Sequence, residues 1–337
     1  MGTPVDPVPA VARAALAAAA DSPGYPATHG TRPLREAAAG WLDRMHGVTV
    51  TPDAILPVIG TKEFIAWLPV LLGCGPQDTV VYPTLAYPTY RIGALLAGAQ
   101  PVAADNLGAP GAERAALVWV NSPSNPTGQV LPAAALAGLV QAARDRGAVL
   151  ASDECYIDLG FGTEPPSVLR PECSGGSHHG LLAVYSMSKR SNLAGYRAGF
   201  VTGDESLISE LLAVHKQAGM IVPAPVQAAL TAVLGDEAHA AEQRGRYAAR
   251  RDRLRAALTA AGWCIDHSEA GLYLWASHPA WDGWGAVAAL AEAGILAAPG
   301  GFYGPAGAQH VRLALTATDE RVESAAARLA TLTGPTG

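Results

Sequence analysis

The sequence predicts an α/β protein, with a mostly parallel central sheet in a large domain and a smaller α+β domain attached to it. Three observations lead there. Residues 117–120 (LVWV), 148–152 (AVLAS) and 183–185 (AVY) are apolar runs that each stop at a polar loop, and unbroken apolar runs are what strands buried on both faces require. The chain has 337 residues, 50% of them hydrophobic and 15% charged, enough for more than one small core. After an Ala- and Arg-rich helix at 237–261, the pattern changes to short strands alternating with helices, the order of an antiparallel sheet with helices on one face. The expected boundaries are 45–236 for the large domain, and 1–44 with 237–337 for the small one.

In order, residues 9–20 read as a helix stopped by the turn residues 21–26 (DSPGYP). Residues 33–46 follow as an amphipathic helix with Leu34, Ala38, Trp41, Leu42 and Met45 on one face. A strand at 56–59 runs into Gly60, Thr61 and Lys62, with a helix at 64–72. Strand, glycine and helix start put free N–H groups and a positive dipole end at one point, an anion site suited to phosphate. A strand at 79–82 leads to Tyr87 and Tyr90, three apart at a helix start. The runs at 117–120, 148–152 and 183–185 end in NSPSNPTG (121–128), DECY (153–156) and a polar loop carrying Lys189, with a further strand at 198–202. Helices at 205–219, 224–235 and 237–261 come next. Strands at 263–267 and 272–276, a helix at 284–293, a strand at 311–315 and a helix at 319–332 complete the chain.

Polar residues at the ends of buried strands carry the chemistry. Lys189, flanked by Ser186 and Ser188 and followed by Arg197, offers an amine nucleophile and a permanent phosphate clamp, the needs of Schiff-base chemistry on a phosphorylated cofactor. Alone, a Ser-x-x-Lys also reads as a solvated loop lysine. Asp153 closes a buried strand, where a carboxylate needs a cation facing it, and a pyridinium nitrogen would supply one.

The combination NSPSNPTG, SDECY and SMSKRSNLAGYRAGF resembles the fold-type I, pyridoxal phosphate (PLP) dependent aminotransferases of class I/II, from Gly2 to the region of Arg312. Within that family the wording is most similar to N-succinyldiaminopimelate aminotransferases. The resemblance implies that Lys189 holds PLP and moves the proton, that Asp153 pairs with the ring nitrogen, and that Asn125 and Tyr156 donate to the ring's phenolate oxygen. It implies phosphate contacts from Gly60, Thr61, Lys62, Ser186, Ser188 and Arg197, with Tyr25 reaching the neighbouring subunit's cofactor. Tyr87, favoured over Tyr90, would lie flat on the ring. Arg312, alternating with apolar neighbours in 310–313 (HVRL), would clamp the substrate α-carboxylate, with Asn125 also touching substrate.

The implied reaction is amino transfer between glutamate and N-succinyl-2-amino-6-oxopimelate in a homodimer with shared active sites. Alternatives are an aminotransferase of aromatic, kynurenine or methionine type, a PLP β-lyase, or a non-catalytic PLP-fold sensor. Arg32, Arg35, Arg91 and Arg190 are candidates for the substrate's distal carboxylates. Family members carry some tens of residues before the Gly-and-Pro segment, which here is Gly2, Pro4, Pro7 and Pro9; that departure bears on the expected dimer.

A formal net charge of −6 and the lack of a basic run argue against nucleic acid. Cys74, Cys155, Cys173 and Cys264 form no Cys-x-x-Cys pair, which fits reduced thiols in a cytoplasmic protein and no metal site. Prolines and Arg13 interrupt the Ala-rich start, so neither a signal peptide nor a membrane span is expected. No Gly-x-Gly-x-x-Gly follows an early strand, which weighs against a dinucleotide-binding enzyme.

Overall fold

The computed structural model describes residues 2–330 and residue 332. Seven strands form the main sheet: β1 (Ile55–Val58), β2 (Thr79–Tyr82), β3 (Gln100–Ala103), β4 (Ala115–Asn121), β5 (Val149–Asp153), β6 (Leu181–Ser186) and β7 (Gly199–Gly203), in the order β1-β7-β6-β5-β4-β2-β3. Only β7 runs against the others, pairing antiparallel with both β1 and β6. The carboxyl ends of the remaining six therefore share one edge, where open α/β sheets collect their ligands. A second sheet, wholly antiparallel, contains β8 (Cys264–Asp266), β9 (Tyr273–Ser277), β10 (Ala298–Pro299) and β11 (His310–Ala314), in the order β10-β11-β9-β8.

The helices are α1 (Ala10–Ala18), α2 (Arg32–His46), α3 (Thr61–Leu71), α4 (Thr89–Leu96), α5 (Ala133–Arg144), α6 (Pro171–Ser174), α7 (Met187–Arg190), α8 (Glu205–Ala218), α9 (Ala224–Leu234), α10 (Glu237–Ala260), α11 (Gly283–Glu292) and α12 (Asp319–Leu329). Local chemistry sets several ends. Thr31 caps α2 by accepting from the Leu34 N–H, and Gly47 closes it at φ 61°; Asp236 caps α10 through the Ala238 N–H. Among the described residues no helix is long and apolar enough to cross a membrane.

Apolar side chains form separate clusters on the two faces of the main sheet and a third around the small sheet. Val80, Leu117 and Trp119 pack with α3 and α4, while their neighbours Val81, Val118 and Val120 face α5 and the Trp41 region. That alternation is the period of a strand buried on both sides. Leu274, Val311 and Leu313 pack with α10, α11 and α12. Ala12, Leu34, Trp41 and Leu42, which the expected division gives to the small domain, sit instead in the core of the seven-stranded sheet.

Four features differ from the sequence reading. Residues 187–190 are a helical turn rather than a loop, because the Ser186 side chain accepts from the Ser188 N–H and starts it. Helix α3 begins at Thr61, directly after Gly60. Strands β3 and β10 and helix α5 did not stand out, since β3 is a largely exposed edge and β10 is two residues long. The last helix ends at Leu329; position 331 of the expected 319–332 span lies outside the described residues.

Candidate active site

The expected site residues converge at the shared strand edge. Register places Asn121 beside Asp153 and Asp153 beside Val184, two residues before Ser186. Asp153 is buried; its Oδ2 accepts from the Tyr90 hydroxyl at 2.7 Å and its Oδ1 from the Cys155 N–H at 3.2 Å. Burial raises its pKa, partly offset by donors from Cys155 and Tyr90. Lys189, on α7, donates from Nζ to the Gly2 carbonyl at 2.7 Å. Burial is the main cause holding its amine below the usual lysine range; Cys155 opposes that shift, and the charges of Arg197 and Arg312 add to it.

One end of the site is a close-packed cradle. Gly60 has φ 74°, a left-handed conformation that favours glycine, and a Cβ there would lie 2.1 Å from an Arg197 nitrogen, so a larger residue would also have to displace that guanidinium. Arg197 is itself left-handed at φ 55°, and its guanidinium donates to the Ala194 carbonyl. Thr61 opens α3 and accepts from the Cys155 thiol at 3.2 Å. Ser186 and Ser188 are buried alongside. The Lys62 amine lies 5.9 Å from the Tyr87 ring centre. Glu63 was not anticipated: burial pushes its pKa up, and the Arg197 charge pulls it down.

The other end joins the two sheets. Arg312 of β11 donates to Asn125 Oδ1 at 2.7 Å, and its guanidinium carbon lies 3.7 Å from the Tyr273 ring centre and 4.8 Å from that of Tyr303. No carboxylate among the described residues pairs with it, and its Nε is buried without a protein partner. Asn125 is fixed from behind: its N–H donates to Asn121 Oδ1, while Asn121 Nδ2 donates to the carbonyls of Pro123 and Asp153. The buried Tyr156 hydroxyl is 3.4 Å from that of Tyr273.

The two tyrosines of the 87–90 pair differ in burial. Tyr87 is half-buried and meets Tyr90 edge-on at 6.0 Å. Tyr90 is fully buried, stacks on Trp119 at 5.1 Å and supplies the hydroxyl to Asp153. Tyr25 is 101% exposed, away from the other residues of the set. Of the four arginines considered for distal carboxylates, Arg190 is only 2% exposed and tied to Asp158 and Glu237; a cation so placed is committed to its own pairs. Arg35 pairs with Asp53 and Arg32 with Glu36. Arg91 is exposed with no ion pair among the described residues.

Gly2, Tyr90, Asn121, Tyr273 and Tyr303 belong to this constellation and were not singled out as site residues. The signal for Tyr273 lay in 272–276 (LYLWA), whose alternation matches the register that sets Trp275 opposite Arg312. A cavity of about 700 Å³ between α5 and the sheet at Val81, Val118 and Val120 shares Asn121 with the site but is not lined by Lys189, Asp153, Arg197 or Arg312.

The family model for aminotransferase class I and II matches residues 2–329. The chain is 59% identical over 331 residues to the 4-dedimethylamino-4-oxo-anhydrotetracycline transaminase OxyQ of Streptomyces rimosus, covering 98% of this chain and 91% of that one. It is 58% identical over 332 residues to a probable aminotransferase, Rv1178, of Mycobacterium tuberculosis, covering 98% and 79%. Among solved structures, a probable N-succinyldiaminopimelate aminotransferase from Thermus thermophilus superposes with a TM-score of 0.90 at 29% identity, covering 99% and 94%.

Proposed function

Because this chain belongs to the class I and II aminotransferases, which are PLP-dependent transaminases, we propose that it moves an amino group from glutamate to N-succinyl-2-amino-6-oxopimelate in a cytoplasmic homodimer with shared sites. The observation that carries the amino-acid half of this reading is Arg312, a guanidinium close to the Tyr273 and Tyr303 rings with no carboxylate partner among the described residues. Such a cation suits the α-carboxylate that every amino acid or 2-oxo acid substrate brings.

The residues present fit the cofactor. The Gly60 cradle, the α3 N-terminus, Ser186, Ser188 and Arg197 suit a phosphate, and the buried Asp153 suits a protonated ring nitrogen. When bound, PLP supplies the electron sink that lets a substrate Cα–H ionise.

The remaining steps belong to the chain. Lys189 would hold the cofactor's aldehyde and, once released, would carry the proton from substrate Cα to the cofactor's C4′ carbon; its depressed pKa favours the neutral amine this needs. Asp153 keeps the ring-nitrogen proton in place. Asn125, whose oxygen is used by Arg312, has its amide N–H groups left to donate to the ring's phenolate oxygen, beside the Tyr156 hydroxyl. Tyr87 would lie against the ring. Tyr25, fully exposed, is left for the partner's phosphate, and Lys62 adds a backbone N–H at the helix start. In this reading the smaller unit comprises residues 237–337 and the segment 2–9 that precedes α1, and the larger one the rest.

A second reading of the acceptor is favoured by one observation, the 59% identity to a transaminase named for an oxo-anhydrotetracycline. A ring ketone of that kind would not need a distal-carboxylate arginine, and Arg91 is the one nominated arginine here without an ion pair among the described residues. The deciding experiment converts the enzyme to its amino form with glutamate, then adds each acceptor alone and follows recovery of the cofactor's absorption band. Fast recovery with the succinylated oxo acid supports the first reading, and recovery only with the ring ketone supports the second. No reaction with glutamate would remove both.

A further inference from the structure

The first residues of the chain lie across the site. The Gly2 carbonyl takes the Lys189 amine at 2.7 Å, and a Cβ on Gly2 would fall 2.0 Å from the Tyr273 hydroxyl oxygen. A larger residue at position 2 would have to displace the Tyr273 ring.

Four residues further on, Asp6 is gripped from α10. Arg250 donates from both terminal nitrogens to the two Asp6 oxygens, at 2.7 and 2.6 Å, and Gln243 adds a third donor at 2.8 Å. Asp6 and Arg250 are 7% and 3% exposed, so the fork is held in a dry, fixed geometry. Arg250 turns its Nε outward to Asp319 at 2.7 Å. The neighbouring Pro7 carbonyl accepts from Asn192, which is bound in turn to Gln243. Asn192 lies three residues past Lys189, so Gln243 of α10 ties the 2–9 segment to the stretch that follows the lysine.

The segment between these anchors contains Pro4 and ends at Pro7. Fixed φ angles make it stiff, and four residues span at most about 13 Å. Fixing Asp6 therefore limits how far Gly2 can stray.

We propose that Asp6 and Arg250 are positioning residues for the amino-transfer reaction, pinning the 2–9 segment so that the Gly2 carbonyl holds one N–H of Lys189 and aims its lone pair at the substrate. A free amine on a four-carbon stem has many orientations, and proton transfer needs one. A carbonyl that accepts one N–H removes most of that freedom without neutralising the base. The inference rests on the transaminase reading of Lys189 given above.

The test uses Asp6→Asn, Asp6→Glu and Arg250→Lys, with Asp319→Asn as the outer-partner control. In the glutamate half-reaction, Asp6→Asn and Arg250→Lys should lower the maximal rate by roughly 10- to 100-fold with KM within about threefold, the size expected of a misplaced catalytic group. The kinetic isotope effect with α-deuterated glutamate should rise, because proton transfer becomes more rate-limiting. Asp6→Glu should recover most of the rate, and Asp319→Asn should change little.

A second measurement needs no turnover. In cofactor-free protein, acetic anhydride labelling of Lys189 should accelerate in Asp6→Asn, with Lys62 and Lys216 as internal references. Unchanged labelling overturns the clamp. Faster labelling with an unchanged half-reaction rate and isotope effect overturns the positioning role, leaving a structural tie. A wild-type enzyme that labels as described but never reacts with glutamate would instead overturn the transaminase reading of the site.

Discussion

At the Gly60–Arg197 end of the site every group comes from the seven-stranded sheet and its loops, and the fit is so close that a single methyl on Gly60 would meet Arg197 at 2.1 Å. At the Arg312 end the groups come from both sheets: Arg312 and Tyr273 stand on β11 and β9, while Asn125 follows β4. The first end is a rigid socket, so losses there should show as cofactor loss. The second is assembled only when the two sheets sit correctly against each other, so losses there should show as poor substrate use with the cofactor retained.

The largest effect should come from the residue between the two ends. Lys189→Ala should lower turnover by at least about 10⁴-fold, since it removes both the cofactor anchor and the proton carrier, while far-ultraviolet circular dichroism stays unchanged. Measurable turnover at the wild-type rate would end the assignment of this lysine and dissolve the comparison.

Next come the two arginines. Arg312→Lys should leave the cofactor bound but lower kcat/KM for glutamate by roughly 30- to 1000-fold, on the order of 2–4 kcal/mol, because a point charge replaces a planar fork. Arg197→Lys should raise the cofactor's dissociation constant first, and affect glutamate only through that loss. Equal cofactor loss in both variants would show that the ends are not separable.

The same contrast explains what could be read in the sequence. The socket was legible because it is local: Gly60 and Thr61 are adjacent, Ser186, Ser188 and Lys189 lie within one turn, and the apolar runs before Asn121, Asp153 and Ser186 declare their strands. Arg312 was legible through its alternation in 310–313 and through the resemblance. Its aromatic seat was legible only in part: Tyr273 stands in the alternating run 272–276, whereas Tyr303 is brought to it by tertiary packing rather than by spacing. The Gly2–Lys189 contact joins positions 187 apart, and no periodicity reports such a pair. Arg190 misled for the opposite reason: it stands beside Lys189 in sequence, yet α7 turns it into the core against Trp41 and Asp158.

Two carboxylates sharpen the comparison through pH. Burial raises the pKa of Asp153 above the ordinary 3.8, so between that value and its folded one the folded chain binds more protons than the unfolded. Stability therefore falls as pH rises through that window and stays lower above it. Asp6 behaves oppositely. The Arg250 hydrogen bond holds its pKa below 3.8, giving stability that is present above the ordinary value and lost as pH falls through the folded one. Cofactor-free Asp153→Asn should accordingly melt above cofactor-free wild type at pH 8, with the gap closing toward pH ~4, although the loaded variant is less active. Cofactor-free Asp6→Asn should melt lower at pH 8. Scanning calorimetry of the two at both pH values checks the signs; a lower melting point for Asp153→Asn at pH 8 would show that the buried carboxylate is not strained by its burial.

The smallest expected effect separates the two tyrosines of α4 and its approach. Tyr90 touches Asp153 through one hydroxyl at 2.7 Å, and its ring is held independently by stacking on Trp119 at 5.1 Å. Tyr90→Phe therefore keeps the packing and removes one donor. Asp153 retains the Cys155 N–H, so the carboxylate is weakened rather than orphaned, and burial is then less opposed in pushing its pKa up. A ring nitrogen facing a less firmly ionised partner keeps its proton less well. The expected cost is about 1 kcal/mol, roughly fivefold in kcat, with cofactor affinity little changed. Tyr87→Phe is the matching control: Tyr87 meets its neighbour through ring edges and makes no bond to Asp153, so its aromatic face should serve equally well without the hydroxyl. Single-turnover rates with glutamate for both variants give the answer, and a larger loss in Tyr87→Phe than in Tyr90→Phe would mean that the hydroxyl serving the reaction is the half-buried one at the mouth of the site.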